Sequence, residues 1–187
     1  RLSGGPLLKI YGRISLLLSY TITHKVAHLY QAIAVSDTRL GSYVVVMSTN
    51  SNYPLGSRIN LQTGTVNSDF LDFISSKSAF LLYWQDGILQ AWLNRMVEVD
   101  GDVIVREVEQ KLVDLLETQP IKGGKLLKIN GRASVLASFV IANHLGHLYG
   151  AIAVNDPKIG TQEYDNYVVV ISHDGDYPVG TRIRVDN

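Results

Sequence analysis

One stretch of sequence is written twice in this chain. GGPLLKIYGRISLLLSYTI, from Gly4 to Ile22, aligns without a gap with GGKLLKINGRASVLASFVI, from Gly123 to Ile141. HLYQAIAVSD (His28 to Asp37) matches HLYGAIAVND (His147 to Asp156) in the same register. After an insertion of five residues in the second copy, near Thr161 to Asp165, SYVVVMSTNSNYPLGSRINL matches NYVVVISHDGDYPVGTRIRV. A duplication obliges the fold to solve one packing problem twice, so whatever the first copy forms the second forms too. It divides the 187 residues into a first copy within 1–66, a connecting segment over 67–120 and a second copy within 121–187. Each copy is near the smallest size at which a domain buries a core of its own.

Apolar residues alternate within each copy, which is the pattern of a half-buried strand. Leu8, Ile10, Gly12, Ile14 and Leu16 share one face, and Lys9, Tyr11, Arg13 and Ser15 the other. The second copy repeats this with Leu127, Ile129, Gly131, Ala133 and Val135 against Lys128, Asn130, Arg132 and Ser134. Leu29, Ile33 and Val35 mark a second strand, and Tyr43 to Met47 suits a central strand covered on both sides. Tyr53-Pro54-Leu55-Gly56 is turn chemistry that delivers Arg58 to Leu61 into a further strand. Gly12 and Gly131, standing where a side chain is expected, predict a sharp bend at a barrel corner.

Three features together resemble the OB-fold: a first strand carrying a Gly-Arg pair, a second of the form HLYxAIAVxD, and a Pro-x-Gly-x-Arg-Ile approach to a later strand. The likeness covers both copies, about two thirds of the chain, and an SH3-like barrel gives nearly the same string. The expected fold class is therefore α+β, with two repeated small β-barrels, OB-like or SH3-like, joined by a mainly helical segment.

The connecting segment changes period. Asn67-Ser68 is a cap ahead of Asp69, Phe70, Leu71, Phe73 and Ile74, and Phe80 to Met96 is rich in aromatic and aliphatic residues with few breakers. Asp100-Gly101-Asp102 reads as a turn. Val105, Val108, Leu112, Leu115 and Leu116 have helical spacing within Val103 to Leu116, and Pro120 lies beyond the helix's end. Two or three helices are expected here.

Charge is uneven although the total is zero. Residues 1–66 hold six basic side chains and one acidic, 67–118 four and ten, and 119–187 seven and six. A basic first copy suits a phosphate backbone, and an acidic middle repels one or masks the basic face. With no cysteine, thiolate nucleophiles and cysteine-ligated metals are excluded. Apolar runs stay well short of a bilayer span, so a cytoplasmic protein with no membrane partner is expected.

Two functional readings follow. An OB-like likeness implies a groove for single-stranded DNA or RNA built on Lys9, Tyr11, Arg13, Tyr30 and Arg58 in the first copy and Lys128, Arg132, Tyr149 and Arg182 in the second. An ordinary solvated face and strand packing are the plainer account of these residue types. Against this stands a non-enzymatic structural or protein-interaction protein, whose partner or second copy docks on Phe80, Tyr83, Trp84 and Trp92. His28 and His147 lack a neighbouring carboxylate pair or cysteine at ligand spacing, and Asp37 and Asp156 sit where aspartate caps turns. With no phosphate-cradling glycine loop or nucleophile elbow either, no catalytic residue, metal or cofactor is expected.

Overall fold

The computed structural model describes residues 2–68, 78–119, 121–159, 164–173 and 175–184. Its elements are β1 (Leu8–Ile10), α1 (Leu16–Val26), β2 (Ala32–Asp37), β3 (Ser42–Ser48), β4 (Arg58–Asn60) and β5 (Val66–Asn67), followed by β6 (Phe80–Gln85), β7 (Ile88–Leu93) and α2 (Gly101–Thr118). The second copy supplies β8 (Gly124–Asn130), α3 (Val135–Leu145), β9 (Tyr149–Asn155), β10 (Tyr164–Ser172) and β11 (Arg182–Arg184).

The long first strand is the largest departure from the sequence reading. Gly12 and Gly131 take φ of +125° and +123°, which L side chains resist, and the chain leaves the strand there. Ser15 and Ser134 then cap helices by accepting from Leu18 N and Ala137 N at 3.2 and 3.1 Å. Ser19 and Thr23 are satisfied inside α1 by donating to the carbonyls of Leu16 and Ser19. Each copy is thus a strand, a helix, and a strand parallel to the first. Leu8, Lys9 and Ile10 stand beside Ile33, Ala34 and Val35, while Leu127, Lys128 and Ile129 stand beside Ile152, Ala153 and Val154. β3 and β4, like β10 and β11, continue each sheet antiparallel.

Two open sheets result, in the orders β1-β2-β3-β4-β5 and β11-β10-β9-β8-β7-β6. The expectation of two barrels joined by a mainly helical segment is overturned: the fold is mixed α/β, with three α-helices among the described residues and no closed barrel. The physical reason is where the helices go. α1 packs on α3 and reaches β10 of the other copy, where Thr21 Oγ1 donates to Val170 O at 2.9 Å; α3 packs on β3 of the first. One core therefore takes Ile33, Val35, Val44 and Val46 from one sheet, Ile152, Val154 and Ile171 from the other, and Tyr20, Phe139 and Leu145 from the helices between.

The connecting segment is also corrected. Phe80 to Leu93 is a hairpin rather than a helix, and its two-residue turn places both Asp86 (φ 50°) and Gly87 (φ 77°) in the left-handed region. β7 then lies parallel beside β8 with α2 as the crossover. Val105, Val108, Leu112 and Leu115 are buried, as helical spacing requires. No described helix is long and apolar enough to cross a membrane.

The paired glycines differ in one respect that can be measured. A Cβ on Gly12 would meet nothing within 4 Å, whereas one on Gly131 would lie 2.1 Å from the Ala91 carbonyl oxygen. Gly12→Ala is expected to cost about 1 to 2 kcal/mol from its dihedrals, and Gly131→Ala clearly more because backbone must move as well. Urea unfolding of both variants checks the order, and equal losses would remove this account.

Candidate interaction site

β6 is an edge strand among the described residues, and its sequence FLLYWQ contains neither charge nor proline. Natural edges are usually protected by such residues. The tight turn sets which backbone groups look outward. Gln85 and Ile88 close a two-residue turn as a bonded pair, so bonding alternates to Tyr83 with Gln90 and Leu81 with Trp92. The amide and carbonyl of Phe80, Leu82 and Trp84 accordingly point away from β7. Those of Phe80 are already used: Glu107 accepts from Phe80 N at 3.3 Å and from Ala79 N at 3.0 Å, and Ser78 Oγ donates to Phe80 O at 2.7 Å. Among the described residues nothing meets those of Leu82 and Trp84, which offer a short open ladder flanked on the outer face of the sheet by Leu81 and Tyr83, 49% and 43% exposed.

Of the four residues expected to dock a partner, Phe80 is fully buried and holds the strand to the core. Trp84 is half-buried with its ring against that core, and Tyr83 faces outward. Trp92, half-buried across from Leu81, donates from Nε1 to Gln90 Oε1 at 3.3 Å. Phe70 and Phe73 lie outside the described residues. Leu81 was missed by the sequence reading because a helix was expected there; Asp86-Gly87, a strong hairpin signal, was the clue.

The residues expected to form a nucleic-acid groove stand in unlike surroundings. Lys9, Tyr11, Arg13, Arg132 and Arg182 are exposed, and Tyr30 is half-buried. Lys9 Nζ lies 5.5 Å from the Tyr43 ring centroid and Lys128 Nζ 5.3 Å from that of Tyr167, within cation–π range. Tyr149 is 6% exposed, so its ring has no face to stack a base upon. Arg58 is committed to structure. Its Nη2 lies 2.7 Å from Asp102 Oδ1 and 3.0 Å from Asp100 Oδ2, and Arg106 Nη2 is 3.3 Å from Asp102 Oδ2. Asp102 foremost, against the opposing effect of burial, holds the Arg58 guanidinium above its ordinary value. Arg182 donates to Ile159 O at 3.3 Å.

α1 and α3 run the same way, and clefts open at both shared ends. At the N-terminal end Arg13, Arg39 and Arg95 rim a cleft of about 680 Å³ with Val35, Ile104 and Leu136 on its wall. Arg39 is tethered there by Nη2 donation to Val99 O. At the C-terminal end a cleft of about 540 Å³ gathers His24, His28, His147 and His173. The His24 and His173 rings meet edge to face at 4.6 Å, and His173 Nε2 donates to Gly146 O at 2.6 Å. No group of three or more metal-ligating side chains among the described residues is arranged to hold an ion.

Comparison with family models, with curated proteins and with solved structures finds no match in any of the three.

His24 yields a pH dependence. Burial first, then the nearby His173, Lys25 and His28, hold its imidazole below the ordinary 6.5. The unfolded chain therefore takes up this proton at a higher pH than the folded one, and the stability is whole above pH 6.5 and falls as pH drops through the folded value. Melting temperatures from pH 7.5 to 5 should show the fall. His24→Asn, which installs the residue found at the matching position 143, should reduce it; an unchanged profile would assign the loss elsewhere.

Proposed function

We propose that this chain is a non-enzymatic protein-interaction module that pairs with a second copy of itself along β6. The observation that carries the reading is the open, uncharged edge at Leu82 and Trp84. Antiparallel self-pairing satisfies it with two-fold symmetry, because Leu82 of one molecule then bonds Trp84 of the other and the reverse. This register sets Tyr83 opposite its own counterpart in a non-bonded pair, with Leu81 and Trp92 close by to extend an apolar strip over the joint. A cytoplasmic setting belongs to the same proposal, since a chain without cysteine loses nothing under reducing conditions.

Tyr83→Lys places two like charges face to face in the pair, and is expected to weaken dimerisation at least tenfold in sedimentation equilibrium with little effect on the melting temperature at concentrations where the chain is monomeric. Tyr83→Cys introduces the chain's sole thiol. Its Cα should lie about 4.5 Å from its counterpart, inside disulfide range, so mild oxidation should give a covalent dimer. A wild-type monomer at every concentration, together with no cross-link, would falsify the reading.

Single-stranded nucleic acid is the weaker alternative, because Tyr149 is buried and Arg58 is engaged. Little binding to single-stranded DNA or RNA is expected at low salt. Tight binding that falls steeply with salt would favour the groove reading instead.

A further inference from the structure

The duplication supplies an internal comparison, since the same strand-helix unit is seen once covered and once bare. In the second copy β7 runs parallel along β8, pairing Ile88, Leu89 and Gln90 with Lys128, Ile129 and Asn130, and Leu93 N donates to Arg132 O at 3.0 Å. α2 lies along α3. There Ala137 and Ile141 are fully buried and His144 Nε2 stands 2.7 Å from Glu109 Oε2 of α2. Hairpin and helix together close one edge of the sheet and one face of the helix.

Among the described residues, the first copy has the same surfaces without the cover. β1 is an edge strand, and no described strand lies on its outer side. Tyr11, matching Asn130, is 71% exposed, and Leu18, matching Ala137, is 48% exposed. Ile22 is only half-buried where Ile141 is sealed, and Lys25, in the place of His144, is exposed. Leu18, Ile22 and Lys25 follow one another at i, i+4 and i+7, a stripe along one side of α1. Beside the stripe, a Cβ on Gly12 would meet none of the described residues within 4 Å, where Gly131 faces the Ala91 carbonyl.

We infer that this face of the first copy receives a partner protein's strand followed by an acidic amphipathic helix, with the strand parallel to β1 and the helix along Leu18, Ile22 and Lys25. Residues 88–118 show what such an occupant looks like, since they dress the matching face of the second copy. Charge selects the sign. The bare copy has six basic side chains and one acidic within 1–66, with Lys9, Arg13 and Lys25 exposed, and residues 88–118, which cover the other copy, have seven acidic and three basic. An acidic residue on the incoming helix would meet Lys25 as Glu109 meets His144. Leucine at 18 in place of alanine calls for a small residue opposite it. Main-chain pairing at a sheet edge supplies affinity and the helix stripe supplies selection. Nothing in this inference depends on β6.

A labelled peptide of residues 86–119 is the probe, titrated into the intact chain. Saturable one-to-one binding in about the micromolar range is expected, with slowed amide exchange at residues 8–11 and 16–25. Leu18→Glu should weaken it at least tenfold and Lys25→Glu measurably, and neither should shift the melting temperature. Tethering the same segment ahead of Leu2 by a flexible linker raises its local concentration to about millimolar, and is expected to raise the melting temperature. No binding together with no gain on tethering overturns the inference, as does binding insensitive to Leu18→Glu or protection confined to β8 and α3. Dimerisation of the intact chain abolished by Leu18→Glu but not by Tyr83→Lys would give the face to a second copy and overturn the partner assignment.

Discussion

Everything in this fold depends on the exchange of helices between the two copies. α1 belongs by sequence to the first sheet and yet lies against β10, and α3 belongs to the second and lies against β3. Phe139, Ile141 and Leu145 of α3 are fully buried. Side chains of this size contribute about 1.5 to 3 kcal/mol each when sealed from water, as an upper estimate. Three of them on one helix approach the entire stability of a domain, about 5 to 15 kcal/mol. A single copy without its twin would expose these residues, so the two halves share one core although the repeat boundary falls between them. The parallel course of α1 and α3 follows from the same exchange and brings all of the shared-end residues, three arginines at one end and four histidines at the other, around common clefts.

α2 is fixed to this pair from outside, and its charges decide how. Its N-terminal acids Asp100 and Asp102 complement the helix dipole and at the same time take Arg58 from β4 of the first sheet. The Asp102 side chain is 8% exposed and faces two guanidinium groups, so the desolvation of one carboxylate is shared by Arg58 and Arg106. Such a cluster adds less to stability than its short distances suggest, but it is specific. Arg58 reaches from β4 to both Asp100 and Asp102 and so ties the helix start to the first sheet, and Gly56 leaves room for the Arg106 stem, whose Cγ would lie 2.6 Å from a Cβ there. The basic count of the first copy, which at the level of sequence suggested a phosphate partner, is thus used in part by the chain's own acidic segment.

The duplication, the strands β2 and β3 and the span of α2 were legible because their signals are local: repeated text, a β-branched run, and apolar residues at helical spacing. α1 and α3 were not. The alternation of Leu8, Ile10, Gly12 and Ile14 runs by coincidence into Leu16, and a helix apolar on nearly every side, as α3 is, shows no period that separates it from a buried strand. The Ser-capped turn after Gly-Arg was present in both copies, but its meaning needed the positive φ of the glycine. Aromatic density hid the β6–β7 hairpin in the same way. Of the candidate site, Tyr83 and Trp92 stand out in the sequence by residue type alone, whereas the exposure of Leu81 and the burial of Tyr149 depend on which element lies next to them, and no local pattern carries that.

At three positions on the face that β7 and α2 cover in the second copy, the sequence differences between the copies follow the difference in cover. Ala137 is small where α2 presses on the helix, and Leu18 is large where no described helix does. His144 carries a group that Glu109 can use, and Lys25, with no helix before it, extends into water. Asn130, beside β7, shares the Gln90 side-chain oxygen at 3.1 Å, whereas Tyr11 holds an aromatic ring in solvent. A long apolar side chain left in water on a helix face, beside an unpaired strand edge, is a costly surface for a protein to keep. Were that face always bare, the alanine and the asparagine of the twin would serve it better. Leu18 and Tyr11 make physical sense as the anchor positions of a surface that is covered part of the time.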